Sequence, residues 1–250
     1  RRGLPSVMAV IVINDPATGV PLAIMDGLLI TKVRTAAASA VATNALARRD
    51  SRTVGLVGCG AQADAQLLAL SEVLPLRQVN VWGYAPGEAR RFCAQMARRL
   101  RGVTYVPCAS VERCVRRADV VVTITPSRRP LVKRAWVAAG VHINAVGADA
   151  PGKQELDPRI LADGTVVIDE REQAIHGGEL NVPIRQGQFH PAEIHATLGQ
   201  ILIGRKRGRC TPRELTVFDS TGLAVHDVAL GWHLLCRARA RGIGRAIRLF

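Results

Sequence analysis

Short runs of valine, isoleucine and leucine alternate with amphipathic stretches over most of this chain. The runs Thr53–Val57, Gln78–Trp82 and Asp119–Thr123 are almost continuously apolar, as strands buried on both faces of a sheet must be. Between them, Gln62–Val73 and Gly87–Leu100 have the pattern of helices. This alternation predicts an α/β fold with a doubly wound, Rossmann-type parallel sheet.

The rest of the chain extends the same pattern. It predicts strands at Val103–Val106, Val141–Val146, Thr165–Ile168 and Leu215–Phe218, and a short helix at Val111–Arg116. The last third is mainly helical, with loops predicted at Gly177-Gly178, Pro183 and Pro191. Thr221–Arg241 predicts one long helix that packs on the N-terminal segment.

The first fifty residues follow a different pattern. Ser6–Asn14 and Val20–Met25 predict two strands joined by a turn at Asp15–Gly19. The alanine-rich stretch Thr31–Arg49 predicts a helix capped by Thr31. Because domains seldom begin abruptly inside a sheet, we expect the N-terminal region to be incomplete.

The charge is strongly positive, with 34 Lys and Arg against 20 Asp and Glu and a net charge of +14. Such a field attracts anionic partners, nucleic acids included. Aromatic residues make up only 4% of the chain, however, so stacking surfaces for single strands are scarce. The arginines between residues 90 and 101 are typical of a solvated helix face. Nucleic-acid binding is therefore the least favoured function.

The apolar runs and the cysteines indicate which partners, metals and cellular location to expect. No apolar run is long enough to span a bilayer, so no membrane partner is expected. The six cysteines form no CxxC pair, and the histidines show no metal-binding spacing. We expect no metal, reduced thiols and a cytoplasmic location.

A glycine-rich turn is the strongest motif. Gly58, Gly60 and Ala63 form a GxGxxA fingerprint between a predicted strand and a predicted helix. Gly58 permits the tight turn, Gly60 permits close approach of a pyrophosphate, and the helix N-terminus offers N–H groups to phosphates. A plain tight turn is the alternative, but the context favours dinucleotide binding. Cys59 is interpreted as a small filler, at a position where a thiol pKa tends to fall.

The acid that usually binds the adenosine ribose is missing after Gln78–Trp82. The nearest one, Glu88, lies beyond the turn in the next predicted helix. Without that carboxylate a ribose 2′-phosphate is not repelled, and Arg90 and Arg91 are candidates to bind it. The alternative is that both arginines are only surface charges. NADP(H) is therefore at least as good a candidate as NAD(H).

Polar residues cluster just past the predicted strand 141–146, at the edge where open α/β sheets bind ligands. Asp149 is a candidate acid–base or water-orienting carboxylate. Lys153 is a candidate partner for a phosphate or for Asp149. Spacing alone fits equally well with a helix N-cap at Asp149 and an exposed Lys153.

Four further positions carry candidate chemistry. Arg34 has the forked guanidinium that suits a substrate carboxylate, although on the sequence alone an exposed helix arginine is the better interpretation. Thr125 and Ser127 follow a predicted strand and are candidates to flank a nicotinamide ring. Ser220 follows the last predicted strand, in a segment, 219–222, that equally suits a cap for the final helix.

Together, these ordered motifs resemble the ornithine cyclodeaminase/mu-crystallin family, and within it the archaeal-type alanine dehydrogenases. The matching segments are GLPSVMAVIVIN (3–14), TGVPLAIMD (18–26), RTAA (34–37), GCGAQA (58–63), TPSRRPLV (125–132), HINAVGADAPGKQELD (142–157), GGEL (177–180), HATLGQILIG (195–204) and FDSTGLAVHDVA (218–229). So many motifs in one order are far more specific than any one of them.

The resemblance implies a Rossmann domain, here residues 51–221, and a smaller substrate and dimerisation domain, here residues 1–50 completed by about 222–250, usually as a homodimer. It implies NAD or NADP as cofactor and an amino or imino acid as substrate. Oxidation of L-alanine to pyruvate and ammonia is the leading activity. The alternatives are cyclisation of ornithine to proline, reduction of a ketimine or pyrroline carboxylate, and NADP(H) binding without catalysis.

The resemblance also implies residue roles. Arg34 would bind the substrate carboxylate, and Asp149 would be the catalytic residue that serves imine hydrolysis. Cofactor contacts would come from Thr35, Gly58, Gly60, Ala61, Gln62, Thr125, Ser127, Gly147, Lys153 and Ser220. The family's N-terminal segment carries a substrate-site lysine that has no counterpart here, so we expect the activity of this chain to depend on that segment.

Overall fold

The computed structural model describes residues 8–247 of the chain. These residues divide into two units, one formed by 8–34 with 223–247 and one by 35–222. The first division therefore falls between residues 34 and 35, inside a helix, whereas the sequence analysis places it after residue 50. No helix within the described range is both long and apolar enough to cross a membrane.

Strands and helices alternate over most of the described chain. The strands are β1 (Val10–Asn14), β2 (Pro21–Asp26), β3 (Thr53–Val57), β4 (Gln78–Trp82), β5 (Thr104–Pro107), β6 (Val120–Thr123), β7 (Arg128–Val132), β8 (His142–Ala145), β9 (Gln154–Leu156), β10 (Thr165–Ile168), β11 (Ala196–Thr197) and β12 (Thr216–Asp219). The helices are α1 (Gly27–Leu46), α2 (Ala63–Ser71), α3 (Glu88–Arg99), α4 (Val111–Val115), α5 (Pro158–Asp163), α6 (Arg171–Gly177), α7 (Asn181–Arg185), α8 (Leu198–Leu202) and α9 (Ala224–Ala240).

The smaller unit contains the predicted hairpin and the C-terminal helix. β1 pairs antiparallel with β2, and the turn between them is closed by the Asp15 side chain, which accepts from the backbone of Ala17 and Thr18. α9 packs against β1, where a Cβ on Gly231 would lie 3.2 Å from the Ile13 side chain. The hairpin and the packing of the final helix are confirmed, while Ser6 and Val7 of the predicted first strand lie outside the described range.

The cap predicted for the first helix is wrong. α1 begins at Gly27, directly after β2, and Thr31 lies inside it. The Asp26 side chain accepts from the Leu28 N–H at 2.9 Å, so the residue that satisfies a donor of the first turn lies five residues before the predicted Thr31. The Thr31 hydroxyl instead bonds the Asp227 carboxylate.

The larger unit is built on eight parallel strands in the order β11-β10-β12-β8-β6-β3-β4-β5. The predicted Rossmann-type class is confirmed. The strand order reverses beside β3, which pairs with β4 on one side and β6 on the other. Ligands of open α/β sheets bind outside the carboxyl ends of the strands at such a reversal, and this edge carries the candidate site.

Short elements account for most of the differences from the prediction. The parallel pair β7 and β9, the two-residue strand β11 and the helix α5 were not expected. Pro183 lies within α7 and not in a loop, because the first turn of a helix needs no N–H donor from a proline.

Candidate cofactor and active site

Loops at the carboxyl edge of the large sheet gather most of the predicted site residues. They follow β3 (Gly58, Gly60, Ala61, Gln62), β6 (Thr125, Ser127), β8 (Gly147, Asp149, Lys153) and β12 (Ser220). Parallel strands end at one edge, so these four loops share it. Thr35 belongs to the same unit and is buried in α1. Arg34 belongs to the smaller unit and is described with it.

The glycine-rich turn after β3 has the predicted shape. The Gly58 N–H donates to the Trp82 carbonyl at 2.9 Å, and its φ of 105° suits only glycine. A Cβ on Gly58 would lie 2.8 Å from the Ile124 carbonyl oxygen, whereas one on Gly60 would meet no atom within 4 Å. α2 then begins without a side-chain cap. Open space beside Gly60 and an uncapped helix N-terminus fit a dinucleotide pyrophosphate.

The pKa of Cys59 is not lowered, although a thiol at a helix N-terminus is expected to have a low pKa. Burial, and then the nearby Glu88 carboxylate, raise the pKa of Cys59 to about 12. The position at a helix N-terminus does not lower it, because desolvation of the thiolate outweighs the helix dipole. The raised pKa supports the interpretation of this thiol as a filler in the turn.

Three buried carboxylates that the sequence analysis did not single out connect the site loops. We call Glu155, Glu179 and Asp219 the carboxylate chain; all three are fully buried. Glu155 accepts from the Thr125 N–H and hydroxyl, both at 2.7 Å, and from the Gly147 N–H at 2.9 Å. It therefore holds the loop after β6 to the loop after β8.

The carboxylate chain extends toward β12 through hydrogen bonds from backbone N–H groups. Glu179 accepts from the N–H groups of Glu155 and Leu156 at 2.9 and 2.7 Å. Asp219 accepts from those of Glu179 and Leu180 at 3.0 and 3.3 Å. One continuous set of bonds thus joins the ends of three strands of the sheet.

Burial dominates the electrostatics of the carboxylate chain. It raises the pKa of Glu155 to about 7 and that of Asp219 to about 8. It also raises the pKa of Glu179 well above its ordinary range, and the neighbouring Glu155 charge acts in the same direction. The hydrogen bonds from N–H groups oppose these shifts only in part. The carboxyl groups of the carboxylate chain therefore hold protons near neutral pH.

Asp149 and Lys153 form an ion pair through Oδ1 and Nζ. Residues 149–153 form a turn and no helix, so the alternative of an N-cap at Asp149 is wrong. The Lys153 side chain is 20% exposed and that of Asp149 is 60% exposed. Asn181 holds the turn, since its amide accepts from the Gly152 N–H and donates to the Lys153 carbonyl. A carboxylate open to solvent and steadied by an ammonium group suits proton transfer to a bound molecule.

Ser127 and Ser220 differ in what their hydroxyls bind. Ser127 Oγ donates to the Arg129 carbonyl at 2.7 Å. Ser220 is buried, and its Oγ meets no partner within residues 8–247, which leaves a polar atom for a ligand. The suggestion that segment 219–222 caps the final helix is wrong, because α9 begins at Ala224 without a side-chain cap and Asp219 belongs to the carboxylate chain.

Arg34 is not the exposed helix arginine that the sequence favours. Its Nε lies 3.2 Å from Oδ1 of Asp227, and the two side chains are 17% and 19% exposed. The Thr31 hydroxyl donates to the same oxygen at 3.2 Å. Asp227 was missed because it lies on α9, 193 positions from Arg34, with no local signal. No group of three metal-binding side chains occurs in the part of the chain that the structure describes.

Comparisons with known proteins agree with this geometry. A sequence model of the ornithine cyclodeaminase/mu-crystallin family matches residues 1–242. The alanine dehydrogenase of Archaeoglobus fulgidus is 44% identical over 249 residues, covering 100% of this chain and 76% of that protein. A delta(1)-pyrroline-2-carboxylate reductase of Bacillus cereus is 36% identical over 249 residues, covering 99% of this chain and 76% of that protein.

Solved structures show the same likeness. An archaeal alanine dehydrogenase dimer with bound NAD superposes with a TM-score of 0.96 at 44% identity, covering 100% of this chain and 77% of that one. The delta(1)-pyrroline-2-carboxylate reductase of Thermococcus litoralis, in complex with NADH and L-proline, superposes with a TM-score of 0.95 at 37% identity, covering 98% and 76%.

The open space at Gly60 leads to a first prediction. Gly60→Ala should leave the stability of the fold unchanged, because the added methyl group meets no protein atom, but it should weaken NADH binding about tenfold by filling the phosphate approach. Gly199→Ala, on an exposed turn of α8, is the matched control. Thermal unfolding and NADH titration measure the two effects, and unchanged NADH affinity in Gly60→Ala would exclude the turn as the phosphate site.

The carboxylate chain leads to a second prediction. The pKa of Glu155 rises from 4.5 to about 7 on folding, so the folded state retains a proton that the unfolded chain releases. Stability from this group is full below pH 4.5 and is lost as pH rises toward 7. The loss is about 3 kcal/mol at most. Glu155→Gln should therefore flatten the pH dependence of urea unfolding in this window, whereas the exposed control Glu72→Gln should not. Equal slopes in wild type and Glu155→Gln would contradict the raised pKa.

Proposed function

The chain belongs to the ornithine cyclodeaminase/mu-crystallin family, and we propose that it is an NAD-dependent amino-acid dehydrogenase acting on L-alanine. The reaction converts L-alanine, NAD⁺ and water into pyruvate, ammonium, NADH and a proton. The observation that carries the proposal is the open glycine-rich turn on a Rossmann-type sheet, in a chain 44% identical over its full length to an alanine dehydrogenase.

The cofactor roles proposed for this chain follow the loops at the carboxyl edge. Gly58, Gly60, Ala61 and Gln62 would take the pyrophosphate on the turn and on the first N–H groups of α2. Thr125, Ser127, Gly147 and Ser220 lie after the strands on the far side of the reversal and would receive the nicotinamide half. Thr35 and Lys153 complete the proposed set. Bound NAD supplies the acceptor for the hydride that leaves the substrate Cα.

The substrate roles rest on two ion pairs. Arg34 would bind the α-carboxylate through the guanidinium nitrogens that its Nε contact with Asp227 leaves available. Asp227 and Thr31 hold the Nε side of that guanidinium, so Asp227 acts as a positioning residue. Asp149 would accept a proton from the water that hydrolyses the imine, and Lys153 would keep its carboxylate oriented through their ion pair.

A reductase of cyclic imino acids is the second candidate. It is favoured by the reductases of Bacillus cereus and Thermococcus litoralis at 36% and 37% identity. Both activities need a group that binds the substrate carboxylate and the same cofactor, so only the substrate distinguishes them. We further infer a homodimer, since a similar solved structure is a dimer, and a cytoplasmic location, which the six free cysteines support.

A third prediction tests the proposed reaction. With L-alanine and NAD⁺, the protein should produce NADH at a rate that saturates with both. Arg34→Lys should raise KM for L-alanine about tenfold or more, because a lysine cannot reproduce the forked contact, and should leave NADH affinity unchanged.

The exposed Arg101→Lys is the control for charge and size. Proline formation from delta(1)-pyrroline-2-carboxylate without turnover of L-alanine would establish the second candidate instead. NADH binding without turnover of any amino or imino acid, both by this chain and by one that carries the family's N-terminal segment, would contradict both enzymes.

A further inference from the structure

The end of the second strand of the Rossmann unit holds a carboxylate that comes from elsewhere in the chain. Gly83 follows β4 and has no side chain to offer a ribose. A Cβ on Gly83 would lie 2.9 Å from Oε2 of Glu88 and 2.6 Å from Sγ of Cys59. The space that an acidic side chain would normally use is therefore filled by the carboxylate of Glu88.

Local backbone geometry brings Glu88 back to the strand. Gly87 is in the left-handed region, with φ of 76°, and Glu88 is the first residue of α3. Its Oε2 accepts from the Ala85 N–H at 3.2 Å, which ties the side chain to the β4–α3 turn. Glu88 is half-buried, so its position is set by the fold and not by a solvated rotamer.

The same carboxylate adjoins the glycine-rich turn. The Glu88 carboxylate is close enough to the Cys59 thiol, in the centre of that turn, to raise the pKa of that thiol. β3 and β4 are paired up to Val57 and Trp82, so the turn after β3 and the end of β4 are neighbours. In Rossmann folds this is where an acid binds the hydroxyls of the adenosine ribose.

We propose that Glu88 supplies the missing ribose-binding acid and selects NAD(H) over NADP(H). A carboxylate accepts hydrogen bonds from both ribose hydroxyls, whereas a 2′-phosphate would place a second anion against it. This assignment rests on the proposed function, because it concerns the cofactor of that reaction. It replaces the expectation, drawn from the bare sequence, that no acid opposes a 2′-phosphate.

A pocket beside Glu88 suits the adenine ring. It has a volume of about 390 Å³ and is lined by Trp82, Tyr84, Pro107, Cys108 and Arg90, among others. Arg91 lies on the same side, with Nη1 3.2 Å from the position of a Cβ on Gly87. Both arginines would attract a 2′-phosphate, so the proposed preference for NAD(H) rests on the carboxylate of Glu88.

Coenzyme binding without substrate tests the assignment. NADH and NADPH are titrated against wild type, Glu88→Gln and the exposed control Glu72→Gln, with the fluorescence of Trp82 and its neighbours as the signal. Wild type should bind NADH at least about tenfold more tightly than NADPH, and Glu88→Gln should reduce that ratio about tenfold. Glu72→Gln should keep the wild-type ratio. Circular dichroism verifies that the variants are folded.

A second measurement needs only the wild-type protein. ADP-ribose should displace NADH more effectively than its 2′-phosphorylated form. If both coenzymes bind but the NADPH/NADH ratio is the same in Glu88→Gln as in wild type, or if wild type prefers NADPH, the assignment of Glu88 is wrong, while the proposed oxidation of L-alanine by a nicotinamide coenzyme stands. If neither coenzyme binds wild type, the proposed function fails and this assignment fails with it.

Discussion

Backbone N–H groups bonded to buried carboxylates are the constraint on which the candidate site depends. The loops after β6 and β8 leave donors inside the protein, where an unpaired N–H costs free energy. Glu155 satisfies the Thr125 and Gly147 donors together, and Glu179 and Asp219 extend the bonding to the end of β12. No side chain fits at Gly147, where a Cβ would lie 2.2 Å from the Thr125 carbonyl oxygen. The edge proposed to receive the nicotinamide is therefore held by hydrogen bonds and close packing together.

The same edge of the sheet carries hydrogen-bond donors that suit a phosphate at one position and a carboxylate acceptor at another. At the turn after β3, the uncapped N–H groups and the open space at Gly60 suit the proposed position of the pyrophosphate. At the end of the neighbouring strand β4, Glu88 presents a carboxylate beside Gly83. A dinucleotide with a free ribose diol satisfies both, since its pyrophosphate meets donors and its hydroxyls meet an acceptor. The net charge of +14 does not identify a binding site for an anion, because most of the arginines in the described residues are exposed to solvent.

Local patterns predicted most of the sheet, and long-range contacts account for what they missed. β3, β4 and β10 have the predicted bounds, because continuous Val and Ile runs between polar breaks are visible in any short window. The glycine-rich turn could also be predicted, because all of its residues lie in one short segment of the sequence. Glu155 and Asp227 had no local signal: each matters through a partner 30 or 193 positions away. Glu88 was noticed and set aside, because only a left-handed Gly87 turns it back toward β4.

A crystal structure of the protein with NADH would test the central claim most directly. The account predicts the pyrophosphate over Gly60 and the first N–H groups of α2, the ribose hydroxyls at Glu88, and the nicotinamide beside Gly147 and Ser220. The Glu155 bonds to Thr125 and Gly147 should be unchanged. NADH bound away from the carboxyl edge, or a nicotinamide that displaces these loops from Glu155, would contradict it.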